Sequence, residues 1–131
     1  MDLTNLIETA RAASSRAYAL YSNFRVGAAL LTANGEIYIG CNVENASYGL
    51  SMCAERAAVF AMSANATNED GRKIRLVAVV SPDAVPCLPC GACRQVLREF
   101  GCEEVVVEEG SGIRRYPFGE LLPHAFGPEA L

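Results

Sequence analysis

Cys53-Ala54-Glu55-Arg56 and Pro89-Cys90-Gly91-Ala92-Cys93 are the two stretches from which the rest of the chain can be read. Cys90 and Cys93 stand three residues apart, which on a helical turn places both thiols on one side. Each stretch opens a segment patterned as a helix, over 54–64 and 91–100, so the thiols lie at two helix N-termini. Unpaired amides and the helix dipole favour thiolate over thiol at such ends. Sulfur from two separate helix starts can meet at one ion only if the two helix ends converge, and that convergence constrains the fold. A catalytic zinc keeps three protein ligands and an open fourth position for water, which three cysteines without a fourth partner suit. Glu55, two residues after Cys53, can sit beside such an ion without ligating it and carry protons. Three thiolates would leave a zinc site negatively charged, and the adjacent Arg56 is the candidate for hydrogen bonding to ligand sulfur.

Working outward, Leu3, Leu6, Ile7, Ala10, Ala13, Ala17 and Leu20 recur at helical spacing and predict an amphipathic helix over 4–18, with Thr4 as its cap. Arg25 to Leu31 reads as a strand closed by the hairpin signal Asn34-Gly35, and Glu36 to Val43 as its return. Residues 54–64 are apolar almost all the way round, the pattern of a helix buried on most sides. After a polar connection, Ile74 to Val80 is a short apolar run expected to be a strand buried on both faces. Prolines at 82, 86 and 89 keep the next loop irregular. Glu104 to Glu109 reads as a strand and Ile113 to Tyr116 as a weak one, with a short helix around Gly119 to Leu122. This order implies a mixed sheet with helices on both faces.

The 131 residues are 51% hydrophobic, enough for one domain over 1–131 with a real core. A net charge of -4 with scattered basic residues gives no footprint for a phosphate backbone, so a nucleic-acid partner is not expected. No apolar stretch approaches the ~20 residues that span a bilayer, and no leader pattern opens the chain, so a cytoplasmic protein with no membrane partner is expected. In that reducing setting the six cysteines read as thiols and metal ligands rather than disulfides. Cys41 and Cys102 are expected as small buried hydrophobes.

Cys87 is the internal competitor. With Cys90 and Cys93 it offers a fourth sulfur that could close a structural tetrahedron. Pro86, Leu88 and Pro89 favour an extended approach, and a closed site would leave Glu55 without a task, so Cys87 is expected as a loop thiol. The sole histidine, His124, lies far along the chain from both segments and is expected at the surface or an interface.

The two stretches match the H-x-E and P-C-x-x-C signature of zinc nucleobase deaminases, with Cys53 in place of its histidine. Over nearly its full length the chain resembles cytidine deaminases of the small homotetrameric class. The matching stretches are Tyr21-Ser22-Asn23-Phe24 with Val26-Gly27-Ala28-Ala29, Gly40 through Tyr48, Cys53 through Arg56, Pro89 through Val96, and Glu120-Leu121-Leu122-Pro123. Leu20 departs from the family, which usually has proline there, as does the longer loop carrying Cys87.

The resemblance implies an α/β fold, a three-layer α/β/α sandwich around a five-stranded mixed sheet. It implies one Zn²⁺ per subunit on Cys53, Cys90 and Cys93, and a homotetramer whose pockets are shared between subunits. The implied reaction is hydrolysis of cytidine and deoxycytidine to uridine and deoxyuridine with release of ammonia, Glu55 moving the protons. Phe24 and Ala54 join the substrate-binding set, with Asn42 and Glu44 on the sugar hydroxyls and Tyr48 and Phe126 completing a neighbouring subunit's pocket. An amide and a carboxylate two apart on a strand do point to the same side. Rival readings are a deaminase of another substrate, such as blasticidin, a nucleotide or a polymer base, and a structural zinc module.

Overall fold

Ile74–Val80 occupies the middle of the sheet, where its last four residues are buried, as an apolar run bounded by polar loops should be. The computed structural model describes residues 2–131. In chain order the elements are α1 (Leu3–Ser14), β1 (Gly27–Thr32), β2 (Ile37–Cys41), α2 (Ala54–Asn65), β3 (Ile74–Val80), α3 (Gly91–Glu99), β4 (Glu104–Glu109), β5 (Gly112–Pro117) and α4 (Phe118–Leu121). The five strands lie in the order β2-β1-β3-β4-β5. Only β3 and β4 run parallel; β1 pairs antiparallel with both β2 and β3, and β4 with β5. The mixed sheet between helices is therefore as expected.

Strand alternation sorts the core into two layers. Ala29, Ala78, Val80 and Val106 meet Leu6, Ile7 and Ala10 of α1 on one face. Ala28, Leu30, Val77, Val79, Val105 and Val107 meet Ala54, Ala58, Val59 and Met62 of α2 and Leu97 of α3 on the other. Two glycines on adjacent strands let the helices close. A Cβ on Gly27 would stand 2.0 Å from the Ala10 carbonyl oxygen of α1, and one on Gly40 would stand 2.3 Å from that of Ala54 in α2. The β1–β2 hairpin is thus clamped from both sides by backbone.

Four local expectations are corrected, and the hairpin turn, present as expected, is refined. Helix α1 ends at Ser14, not residue 18, because the Ser14 and Ser15 hydroxyls donate to the carbonyls of Arg11 and Ala12 and compete for the last turn. The chain beyond runs beside Val43 instead, the Tyr18 amide donating to the Asn42 carbonyl at 2.9 Å. The cap is Asp2, whose carboxylate accepts from the Thr4 amide at 3.0 Å; Thr4 is inside the helix. The hairpin turn spans 33–35 between the bonded pair Thr32 and Glu36, with Gly35 at φ +86°, so it is a three-residue loop with glycine in the left-handed position. Helix α2 buries only one side within the chain: Phe60 on its outer side is 48% exposed. Cys102 is buried as expected, whereas Cys41 is only partly so.

Candidate active site

Cys53 stands at the N-cap of α2 and Cys90 at the N-cap of α3, both with extended backbone, and Cys93 follows in the first turn of α3. The loops leaving β2 and β3 thereby deliver two helix ends to one point. The three sulfur atoms lie within 4.8 Å of one another, and Cys53 Sγ is 3.8 Å from Cys90 Sγ. Zinc–sulfur bonds of ~2.3 Å in a tetrahedron require an edge of about 3.8 Å, so the donor set fits that ion in both chemistry and spacing. Among the described residues no other group of histidine, cysteine or carboxylate side chains could hold a metal.

Cys87 stays outside this triad, and so does His124, which is exposed with φ +53° on the segment after α4. Within the triad the charge settles on Cys53. Its thiol is pushed down to about 5, first by a hydrogen bond from Cys93 and then by Arg56, against the opposing effect of burial. Cys93, the donor to Cys53, is pushed up. Arg56 Nη2 donates to Cys53 Sγ at 3.4 Å, and its charge is close enough to act on Cys93 as well. Arg56 therefore lies against the sulfur of Cys53.

Glu55 is 4% exposed, and burial pushes its carboxyl up to about 7; the Cys53 charge adds to the rise and Arg56 opposes it. The group lines a cavity of about 230 Å³ together with Cys53, Cys90 and Ala54. Phe24, Asn42 and Glu44 line the same cavity, so seven of the residues singled out in the sequence meet around one space. Tyr48 and Phe126 do not. Tyr48 is 73% exposed and tilts its ring against Tyr21 at 5.8 Å, and Phe126 is 62% exposed on the tail that Gln95 holds through the Phe126 carbonyl.

Asn42 and Glu44 also organise their own surroundings. Asn42 accepts from the Val26 amide at 2.8 Å and donates to the Phe24 carbonyl at 2.7 Å, tying the segment that carries Phe24 to the end of β2. Glu44 accepts from the amides of Tyr21 and Ser22 and from the Ser22 hydroxyl, and that hydroxyl above all holds its carboxyl below the usual range.

Val26, Met52, Cys87 and Leu88 complete the lining, a role not read from sequence, where Cys87 was expected only as a loop thiol. Burial, with Glu55 and Cys53 close by, pushes the Cys87 thiol up to about 11. Its only sequence signal was the three-residue spacing to Cys90. A second omission is Arg94, whose guanidinium donates to the carbonyls of Pro89 and Leu121, each at 2.8 Å, and so fastens the residue before Cys90 to α4.

Over residues 1–109 the chain matches the family described as the cytidine and deoxycytidylate deaminase zinc-binding region. It is 43% identical to a cytidine deaminase of Sporosarcina psychrophila, covering all of this chain and 96% of that one. The crystal structure of cytidine deaminase from Burkholderia pseudomallei superposes with a TM-score of 0.84 at 50% identity, over 96% of this chain and all of the other. That from Mycobacterium tuberculosis gives 0.83 at 41% identity, over 97% and 98%.

Proposed function

This chain belongs to the cytidine and deoxycytidylate deaminase family and catalyses the hydrolytic deamination of cytidine, and we propose that its cavity takes a free nucleoside, cytidine or deoxycytidine, with Glu55 as the proton carrier. The observation that carries this reading is a carboxyl 4% exposed and pushed up by burial to about 7, lining one cavity with Cys53 and Cys90, two of the three converged sulfurs. Cys53, Cys90 and Cys93 would hold the zinc, which when bound would lower the pKa of a water toward ~7 and so make it a nucleophile.

Glu55 does the rest of the acid–base work. A carboxyl poised near neutrality accepts a proton from water and gives it up again with comparable ease. Oxygen adds to the ring carbon bearing the amine while Glu55 delivers a proton to the neighbouring ring nitrogen. Glu55 then takes the remaining proton from the oxygen now on the ring carbon and passes it to the amine; the carbon–nitrogen bond breaks, ammonia leaves and the oxygen becomes the carbonyl. Burial keeps bulk water from short-circuiting these transfers.

Asn42 has one amide hydrogen beyond its bond to Phe24, and Glu44 a lone pair beyond its three donors, so each keeps capacity for a sugar hydroxyl. Phe24 supplies an aromatic wall. The charged Glu44 would repel a phosphate on the sugar, which favours a nucleoside over a nucleotide. Because Tyr48 and Phe126 lie off their own cavity, they complete a neighbour's in a homotetramer. Exposed apolar residues including Tyr18, Leu20, Leu50 and Phe60 support that assembly.

The 131 residues act as one catalytic domain in the cytoplasm; among the described residues no helix is long and apolar enough to cross a membrane. A structural zinc module would need a fourth ligand, and Cys87 is not among the clustered sulfurs. The test is loss of cytidine ultraviolet absorbance with zinc-loaded protein. Glu55→Gln should retain zinc and turn over at least ~10²-fold more slowly. Equal rates would reject the assignment. A panel including blasticidin separates the neighbouring substrate class.

A further inference from the structure

We infer that Cys87 is a specificity-determining residue of this reaction, its side chain forming the wall that limits substituents on the pyrimidine ring. The inference rests on the reading of the cavity as a nucleoside pocket. Three observations carry it.

Cys87 is 9% exposed and lines the cavity, and the charged groups close enough to act on its thiol are Glu55 and Cys53, not Glu44 at the sugar end, so it stands where the reacting carbon must sit. The residue is also part of the main core, with Ala54 and Val59 in the same cluster, so the wall is backed by close-packed atoms and cannot yield to a larger ligand. Finally, its distance from the metal site is set by the chain itself. Only Leu88 and Pro89 separate it from the ligand Cys90, and Arg94 holds the Pro89 carbonyl at 2.8 Å. A side chain in that position meets the ring's neighbouring substituent each time the reacting carbon is brought to the nucleophile. Because the thiol stays outside the metal cluster, its size is free to act on the ligand.

One methylene more or less in an apolar pocket changes discrimination by about 10–200-fold. The experiment measures kcat/KM for cytidine and for 5-methylcytidine with the zinc-loaded wild-type protein, Cys87→Ala and Cys87→Ile, with metal content determined for each. The smaller side chain is expected to raise the ratio of 5-methylcytidine to cytidine by about tenfold, and the larger to lower it by a similar factor, with zinc retained. An unchanged ratio in whichever variant folds would overturn the inference while leaving cytidine deamination intact. A wild-type protein that turns over neither nucleoside would instead bring down the reading of the pocket, and this inference with it.

Discussion

Arg56 Nη2 donates to the sulfur of Cys53 across one helical turn at 3.4 Å, so the ligand at the start of α2 is oriented by a residue of the same helix. Its charge also acts on Cys93, so one cation serves sulfurs from two helices. Groups of this kind hold first ligands in place and typically alter metal affinity 10–100-fold. Arg56→Ala is therefore expected to fold and to release zinc to a chelator at ~10–100-fold lower competitor concentration. Wild-type retention would show that the contact is idle.

The buried Glu55 makes the metal-stripped protein sensitive to pH in a defined direction. Its carboxyl is raised from 4.5 to about 7, so between these values the folded chain keeps a proton that the unfolded chain has lost. Stability falls with pH wherever the folded state binds more protons. The advantage is whole below about 4.5, erodes through that window and is gone above about 7. At about 1.4 kcal/mol per unit the loss is on the order of 3 kcal/mol, and Glu55→Gln does not share it. Thermal melts of both stripped proteins at pH 5 and pH 8.5 should show the glutamine variant gaining on the wild type at the higher pH. A constant difference would contradict the burial of this group.

The clamp on the hairpin is testable with one methyl group. Gly40→Ala must push aside backbone atoms of Ala54 and Ala58, which stand 2.3 and 2.6 Å from the new carbon. Overpacking of this kind costs about 1–3 kcal/mol, and more where the neighbours are backbone. Because Ala54 follows Cys53, zinc retention should weaken as well. Gly49→Ala, which meets nothing within 4 Å, is the control expected to melt as the wild type does. Equal melting of both variants would mean that α2 does not press on β2.

Arg94 connects the metal loop to the C-terminal region through two carbonyls. Hydrogen bonds from a charged donor contribute about 1.5–3 kcal/mol each. Arg94→Met, which keeps much of the apolar stem, should lower the melting temperature and loosen zinc, since the Pro89 carbonyl loses its donor. Chelator competition together with calorimetry would reveal this; a change in neither would assign the contact no role.

The parts of this molecule legible in sequence are those governed by local spacing. The β3 strand announces itself as an apolar run between polar loops, and Cys90 and Cys93 share a side because they are three apart at a helix start. Arg56 could be placed on ligand sulfur because it adjoins Glu55 and a site of three thiolates calls for a nearby cation. What local spacing did not carry was competition and long-range assembly. Ala17 and Leu20 keep a helical rhythm, yet two serine hydroxyls end α1 before them. Cys87 lines the cavity because the loop after β3 brings it into one cluster with Ala54 at the start of α2, a contact with no periodic signal. The outer side of α2 reads as apolar in sequence, but among the described residues no element covers Phe60.

Cys90 is exposed while its sulfur lies 3.8 Å from that of Cys53. Two thiols so close, one open to solvent, are the pair that dissolved oxygen would couple once zinc is stripped away. Such a crosslink would lock out re-metallation until a reductant cleaves it. Preparations taken through a chelator should therefore be kept under dithiol and recharged promptly, or storage losses will be mistaken for an intrinsically weak catalyst.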